Sequence, residues 1–165
     1  MQDIIKLENG QELKLDNNLG WLIEYQNQFG EDIIPTLMPL VMSMADLVGE
    51  LAEGNYNTED LTAGEILKIL KTETALNAAI KLATFKSTDL INIIWALAKT
   101  ADDSIEPPQK WIRQFQDGFP FDIILPKAAT LVARGVMSSK NFERLTANWK
   151  KLQPRKKTKT TKKSK

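Results

Sequence analysis

Hydrophobic and polar positions alternate at the start of the chain. Residues 3–7 (DIIKL) and 11–15 (QELKL) flank Asn9 and Gly10. Asn-Gly between two such runs is a strong hairpin signal, because both residues tolerate the positive φ of a tight turn. The pattern predicts a β-hairpin within residues 1–16. An isolated hairpin is only marginally stable, so we expect this one to pack against another element.

After the hairpin, apolar residues recur at the spacing of α-helices. The pattern predicts about six to seven helices, and therefore a mainly α, compact helical domain over residues 1–152 that includes the hairpin. Candidate core positions in the middle of the chain are Ile66, Leu67, Leu70, Leu76, Ile80 and Leu82. A further helix offers a broad apolar side formed by Leu90, Ile93, Ile94, Trp95, Leu97 and Ala98.

A fourteen-residue frame occurs twice, as WLIEYQNQFGEDII from Trp21 and as WIRQFQDGFPFDII from Trp111. Each copy predicts a helix, a corner at Gly or Pro, and a second helix that an aspartate caps, with Pro35 or Pro126 in its first turn. The repeated unit is therefore interpreted as a helix–turn–helix corner. Its structural residues are Trp21, Phe29, Asp32, Trp111, Phe115 and Asp122.

The aromatic residues of the corner allow two interpretations. Aromatic side chains at helical spacing usually belong to the core. In the second copy, however, Phe119-Pro120-Phe121 adds a ring that the first copy lacks. The alternative is an exposed aromatic groove, with Phe119 and Phe121 as partner-binding candidates.

The helix after the first corner carries a stripe of soft and small residues, Met38, Met42, Ala45 and Gly49. This stripe is either core or a surface that adapts to varied apolar partners, since Met side chains refit easily. Pro39 lies inside the same apolar run, so we expect a kink or a later helix start there.

The composition argues against catalysis. The 165-residue chain has no Cys and no His, which excludes disulfides, zinc–thiolate sites and thiol nucleophiles, and removes the usual general base. There is no Gly-rich phosphate loop, and the acidic pairs at 31–32 and 102–103 suit helix ends. We therefore expect no enzyme, no catalytic residue, no cofactor and no metal.

The charge is unevenly distributed. The net charge is +1, but residues 154–165 (PRKKTKTTKKSK) hold seven Lys/Arg and no acid, so residues 1–153 carry −6. The sequence predicts a disordered basic tail at 153–165 on an acidic body. The tail could be a solubilising arm, a salt-dependent nucleic-acid contact, or the product of A-rich codons on which ribosomes slip. Nucleic-acid binding is disfavoured, because no aromatic is interleaved with the lysines and the body is acidic.

No signal peptide is apparent at Met1-Gln2-Asp3, and no run approaches the roughly 18 apolar residues needed to cross a bilayer. We therefore expect an intracellular, soluble protein with no membrane contact.

Three stretches resemble the tail assembly chaperones of long-tailed phages and prophages of Gram-positive bacteria. They are NNLGWLIEYQNQFGEDIIPTLMP, TDLINIIWALAKTADDSIEPPQKWIRQF and FPFDIILPKAATLVARGVMSSKN, and the resemblance spans roughly residues 1–150. The N-terminal hairpin and the Lys-rich end are also similar to that family.

The resemblance implies a non-enzymatic role in the host cytoplasm. Such chaperones coat the tape measure protein until tail tube subunits polymerise around it, and they are absent from the mature virion. A frameshifted longer form recruits the tail tube protein in related systems. We also expect self-association. The alternatives are a small phage protein that binds nucleic acid through the basic tail, or a structural tail or head component.

Overall fold

The computed structural model describes residues 2–7, 10–54, 56, 61–115 and 118–153. Within them the chain forms a two-stranded hairpin, eight α-helices and one 3-10 turn at Ile112–Gln114. The elements are β1 (Gln2–Lys6), β2 (Glu12–Asp16), α1 (Gly20–Phe29), α2 (Ile34–Glu53), α3 (Ala63–Leu70), α4 (Glu73–Thr84), α5 (Ser87–Ala101), α6 (Pro108–Trp111), α7 (Phe121–Val136) and α8 (Ser139–Leu152). The mainly α class with an N-terminal hairpin is confirmed. The predicted basic tail from Pro154 onward lies outside the described residues.

The hairpin packs against the helices. Strands β1 and β2 are antiparallel, with Ile5 opposite Leu13. These two side chains and Leu15 are buried, and β2 contacts α5. Gly10 has a φ of 81°, as a tight turn requires, while Asn9 lies outside the described residues. The expectation that the hairpin needs a neighbour is confirmed.

Helix α5 is the centre of the main core. Six consecutive residues from Ile93 to Ala98 are buried, so the helix is covered on all sides. It contacts β2, α1, α6 and α7. The indole Nε1 of Trp95 donates a hydrogen bond to the Glu106 carbonyl at 2.8 Å, which satisfies its polar atom.

The first corner is built as the pattern predicts, apart from its cap. Helix α1 ends at Gly30, whose φ of 74° allows its N–H to bond to the Gln26 carbonyl at 2.8 Å. Trp21 is fully buried, and the Phe29 ring meets Trp95 with centroids 5.7 Å apart. The prediction that Asp32 is the N-cap is wrong by one residue. The N-cap position is occupied by Ile33.

Asp32 still supports the start of α2 from one residue outside it. Its carboxylate accepts a hydrogen bond from the Ile34 N–H at 2.9 Å. A bond two residues ahead is the geometry of an Asx turn, which Asp forms readily before a helix. Pro35 lies in the first turn, as predicted.

The second copy folds differently from the first. Its helical part is only α6 and the following 3-10 turn, and α7 begins with Phe121 after the N-cap residue Pro120. Asp122 is therefore inside the first turn of α7 and makes no side-chain cap bond, so its prediction as a cap is wrong. Pro126 lies a turn later than predicted. Gly118, with a φ of 100°, lies between the end of the 3-10 turn at Gln114 and the start of α7, two frame positions before the equivalent of Gly30.

The aromatic residues of the second copy form one connected group. Trp111 is buried at 1% exposure, and its ring contacts Phe115 and Phe119 with centroids 5.2 and 5.8 Å apart. Phe119 in turn contacts Phe121 at 4.8 Å. Edge and tilted contacts at these distances are typical of packed aromatic clusters. Trp111 and Phe115 therefore pack the corner, as the structural interpretation predicts.

Helix α2 runs without interruption from Ile34 to Glu53 through Pro39, so the later start considered for it is wrong. It packs against α4 and α8, and with Leu152 of α8 it forms a second, smaller core around Val48 and Ala52. With a mean hydropathy of 1.3 over 18 residues, α2 is long and apolar enough to cross a bilayer by length and composition alone, contrary to the expectation that no run in the chain is. Part of this apolar surface packs on α4 and α8, but only 11% of the same 18-residue window is buried.

A candidate protein-binding face on helices α3 and α4

The structure divides the predicted stripe on α2 between core and surface. Ala45 is buried at 8% exposure, and Met38 is half-buried. A Cβ added at Gly49 would lie 3.7 Å from the Asn148 amide of α8, so this position faces a neighbouring helix. Only Met42, at 36%, is exposed. The four residues therefore do not form one continuous exposed surface.

The predicted aromatic edge is also covered in part. Phe119 and Phe121 are both half-buried, and Phe119 packs against the main core. The two rings contact each other with centroids 4.8 Å apart at an interplanar angle of 58°. Neither ring stands out from the surface as a free anchor.

Large exposed apolar side chains lie instead on α3. This helix has no buried residue, and it packs mainly on α4. Ile66, Leu67 and Leu70 are 42%, 57% and 60% exposed. Positions i, i+1 and i+4 lie on one side of a helix, so the three side chains form a single apolar strip.

Helix α4 turns its small residues inward and its large ones outward. Ala75 and Ala78 are buried, and α4 packs closely on α2, for which alanines leave room. Leu76 and Ile80, one turn apart, are 57% and 50% exposed. An ordinary core helix does the reverse, because burying a Leu or Ile side chain stabilises a fold by about 1.5–3 kcal/mol.

These exposures show that the prediction of six core positions in the middle of the chain is wrong, although Ala75 and Ala78 of the same segment are buried. All six positions assigned to the core there are at least 42% exposed. We call the apolar sides of the two helices the α3–α4 face. Its members are Ile66, Leu67, Leu70, Leu76 and Ile80.

A hydrogen-bonded cap fixes the start of the face. The Thr62 hydroxyl accepts from the Glu65 N–H at 3.3 Å, and the Glu65 carboxylate accepts from the Thr62 N–H at 2.9 Å. This reciprocal pair is a capping box, and it holds α3 in the helical state although nothing buries it. The hydroxyl and the backbone N–H of Thr62 lower the pKa of the Glu65 carboxyl, since both bonds favour its ionised form.

The charge around the α3–α4 face is opposite to that of the N-terminal part. Residues 61–86 contain four lysines and two glutamates, whereas residues 1–60 contain twelve acids and two lysines. The lysines are Lys68, Lys71, Lys81 and Lys86, and all four are exposed. The segment that carries the α3–α4 face is thus locally basic, although α2, on which α4 packs, contains Asp46, Glu50 and Glu53 and no Lys or Arg.

The remaining surface offers little chemistry. A small cleft of about 170 Å³ is lined by Glu24, Asn27, Gln28, Trp95, Lys99, Ile105 and Pro107. The Lys99 ammonium in it already donates to the Asp103 carbonyl. Among the described residues, no group of three or more acidic side chains is placed to hold a metal ion.

Comparison of the chain with protein-family models, with curated proteins and with solved structures found no match.

Sequence reasoning missed the α3–α4 face because an apolar strip on a helix predicts burial without saying what buries it. One signal was present in the sequence. On α4 the inward positions at spacing i, i+3 are both alanine, at 75 and 78, while the next side carries Leu76 and Ile80. A helix with a small-residue side next to a large-residue side has two apolar surfaces. Only the first can be assigned to close helix packing.

Proposed function

We propose that the protein is a tail assembly chaperone of a long-tailed phage or prophage. It binds the tape measure protein in the host cytoplasm, keeps it soluble, helps to recruit tail tube subunits and is absent from the mature virion. The resemblance described above motivates this proposal, and one structural observation supports it: the α3–α4 face leaves five large aliphatic side chains at least 42% exposed.

A binding role accounts for this exposure. Contiguous exposed apolar surface is uncommon on soluble proteins and marks interaction sites. Two adjacent helices with aliphatic strips present a surface on which the apolar side of a third helix can pack. A long helical client has an apolar side along its whole length. The α3–α4 face can bind different segments of that side, because aliphatic contacts do not require one particular sequence.

The position of the face in the fold suits a surface that must adapt. Helix α3 is held by its cap and by α4 rather than by burial, so it can shift as the client sequence changes. The main core around α5 is untouched by such a shift. We propose that client contact is made by Ile66, Leu67, Leu70, Leu76 and Ile80, with Met42 of the predicted stripe as an exposed neighbour on α2.

Co-expression with the tape measure protein of the same genome tests this function. We expect the wild-type chain to raise the soluble fraction of the client and to co-purify with it. The double variant Leu70→Asp/Leu76→Asp places carboxylates in the face and should abolish both effects, because an unpaired charge buried at an interface is strongly unfavourable. Both positions are exposed, so the variant itself should fold.

Leu82→Asp is the matched control. Leu82 is 55% exposed on the same helix, but it lies roughly 120–160° around the helix from Leu76 and Ile80. This control should solubilise the client as well as the wild type does. A client that stays insoluble with every form, or equal rescue by the double variant, would contradict the proposal.

A further inference from the structure

A second exposed apolar surface lies at the start of α1. Leu19 and Ile23 are each 61% exposed, the highest values among the large apolar residues of the described chain. They are four residues apart and therefore neighbours on one side. We call this pair the α1 face. Trp21 and Tyr25 point the other way, into the core.

The chain segments that carry the α1 face and the α3–α4 face have opposite charge along the sequence. Residues 16–32, around the α1 face, contain four carboxylates and no Lys or Arg. Residues 61–86, around the α3–α4 face, contain four lysines and two glutamates, one of which is Glu65 in the capping box. Two apolar surfaces with complementary charge on one chain can pair between copies, since complementary potentials favour encounter and fix orientation.

The basic C-terminal segment does not supply a cover for the α3–α4 face. Residues 154–165 contain no large apolar side chain, so they cannot replace water over five aliphatic groups. Met42 and Met44, the exposed methionines of α2, are two residues apart on a helix that already packs on α4. Among the described residues of the acidic N-terminal part, Leu19 and Ile23 are the most exposed large apolar side chains, ahead of Ile4 at 47% and Met44 at 40%. The exposed Trp149, at 54%, precedes Lys150 and Lys151 on the basic helix α8.

We propose that the α1 face of one copy docks on the α3–α4 face of a second copy, head to tail. Leu19 and Ile23 pack against the aliphatic strips, and the acidic surroundings of α1 lie against Lys71 and Lys81. Such a contact is heterologous, so each pair leaves one face of each kind free and further copies add, in a chain or a closed ring. That the client competes for the same face rests on the proposed function; the self-association itself does not.

Mixing two variants, each with a different one of the two faces disrupted, gives a direct test. Ile23→Asp removes the α1 face and keeps the α3–α4 face, whereas Leu70→Asp does the opposite. We expect each variant alone to associate at least about tenfold more weakly than the wild type in sedimentation equilibrium, since one lost anchor and a buried carboxylate amount to a tenfold change or more. Mixed together, they should form a 1:1 pair through the one interface that both leave intact.

Leu82→Asp is the control for added charge, and it should associate as the wild type does. Far-ultraviolet circular dichroism checks that each variant keeps its fold. Raising the salt concentration should weaken the wild-type association, because screening removes the charge contribution. A wild-type chain that stays monomeric at all concentrations, or variants that do not recombine on mixing, would overturn head-to-tail docking.

The two proposals fail independently. If the wild type is monomeric but still solubilises the tape measure protein, the self-association proposal is wrong and the chaperone proposal stands. If the wild type forms the head-to-tail pair but does not solubilise the client, the chaperone proposal is wrong and the self-association proposal stands. If both hold, adding client should dissociate the self-associated form, because both need the α3–α4 face.

Discussion

Helices α5 and α4 have similar apolar content but opposite relations to solvent. In α5, every side chain from Ile93 to Ala98 is buried between the hairpin, α1 and α7. In α4 the buried residues are Ala75 and Ala78, while Leu76 and Ile80 face water. The difference shows that an apolar helix is a core helix only where the fold provides partners on all its apolar sides.

The part around α5 and the part around α3 also differ in the contacts that stabilise them. The hairpin, α1 and α5 are held by interlocking large side chains, including Trp21, Trp95 and Trp111. Helix α3 is held by a capping box and by its contact with α4. An isolated helix of eight residues is unstable in water, so α3 depends on its cap and on whatever covers its apolar strip. The first part is thus stabilised by burial, whereas α3 is stabilised by a cap and by one neighbouring helix.

The largest expected effect is on the free energy of unfolding, when a Leu→Ala substitution in the main core is compared with one on α3. Leu97→Ala removes a side chain with 0% exposure and should lower the free energy of unfolding by about 2–5 kcal/mol, because it leaves a cavity. Leu67→Ala removes one that is 57% exposed and should change it by less than about 0.5 kcal/mol. Urea unfolding of dilute, monomeric protein measures both. Equal losses at the two positions would show that α3 is buried in the monomer.

Two glycine substitutions should change stability in opposite directions. Gly30→Ala forces a Cβ into the left-handed conformation at φ 74° and should lower the free energy of unfolding by about 1 kcal/mol. Gly64→Ala places alanine in the first turn of α3 with nothing within 4 Å of its Cβ, so it should stabilise that helix by about 0.5–1 kcal/mol.

Hydrogen exchange separates the two glycine effects. For Gly64→Ala we expect slower exchange of the α3 amides with little change in the urea midpoint, because α3 opens locally. For Gly30→Ala the midpoint itself should fall. If Gly64→Ala moved the midpoint as much as Gly30→Ala, the two parts would unfold as one unit.

The smallest expected effect is the change in the stability of helix α3 with pH. The bonds from Thr62 hold the pKa of the Glu65 carboxyl below its usual value of 4.5, so folding of α3 favours the ionised form. The stabilisation is therefore complete above that value and is lost as the pH falls through the lower, folded pKa. Cα chemical shifts of residues 63–70, followed by NMR during acid titration, should lose helical character there, while those of α5 should not change with the titration of Glu65.

Glu65→Gln is the control for this titration. Gln still accepts from the Thr62 N–H but does not ionise, so the pH dependence of the α3 shifts should disappear. An unchanged titration in the variant would assign it to another carboxylate.

Local patterns in the sequence were sufficient for much of the fold. The alternating segments around Gly10, the continuous apolar run of α5 and the left-handed end of α1 at Gly30 all follow from short-range rules of turn and helix chemistry. The caps were less well predicted, as Asp32 and Asp122 show, because a cap depends on backbone angles that neighbouring Gly and Pro residues shift by one or two positions. The repeated frame became two different structures: α1 continues to Phe29, whereas the helical part of the second copy ends at Gln114.

The sequence alone determined which residues are apolar and on which side of each helix they lie. Only the tertiary structure decided which of those sides meet another element. Burial is a property of pairs of surfaces, and a single helix does not encode its partner: Leu97 and Leu67 both lie in apolar strips, yet one has the hairpin and α1 around its helix and the other has water. The α3–α4 face could be recognised only once every other helix had been placed.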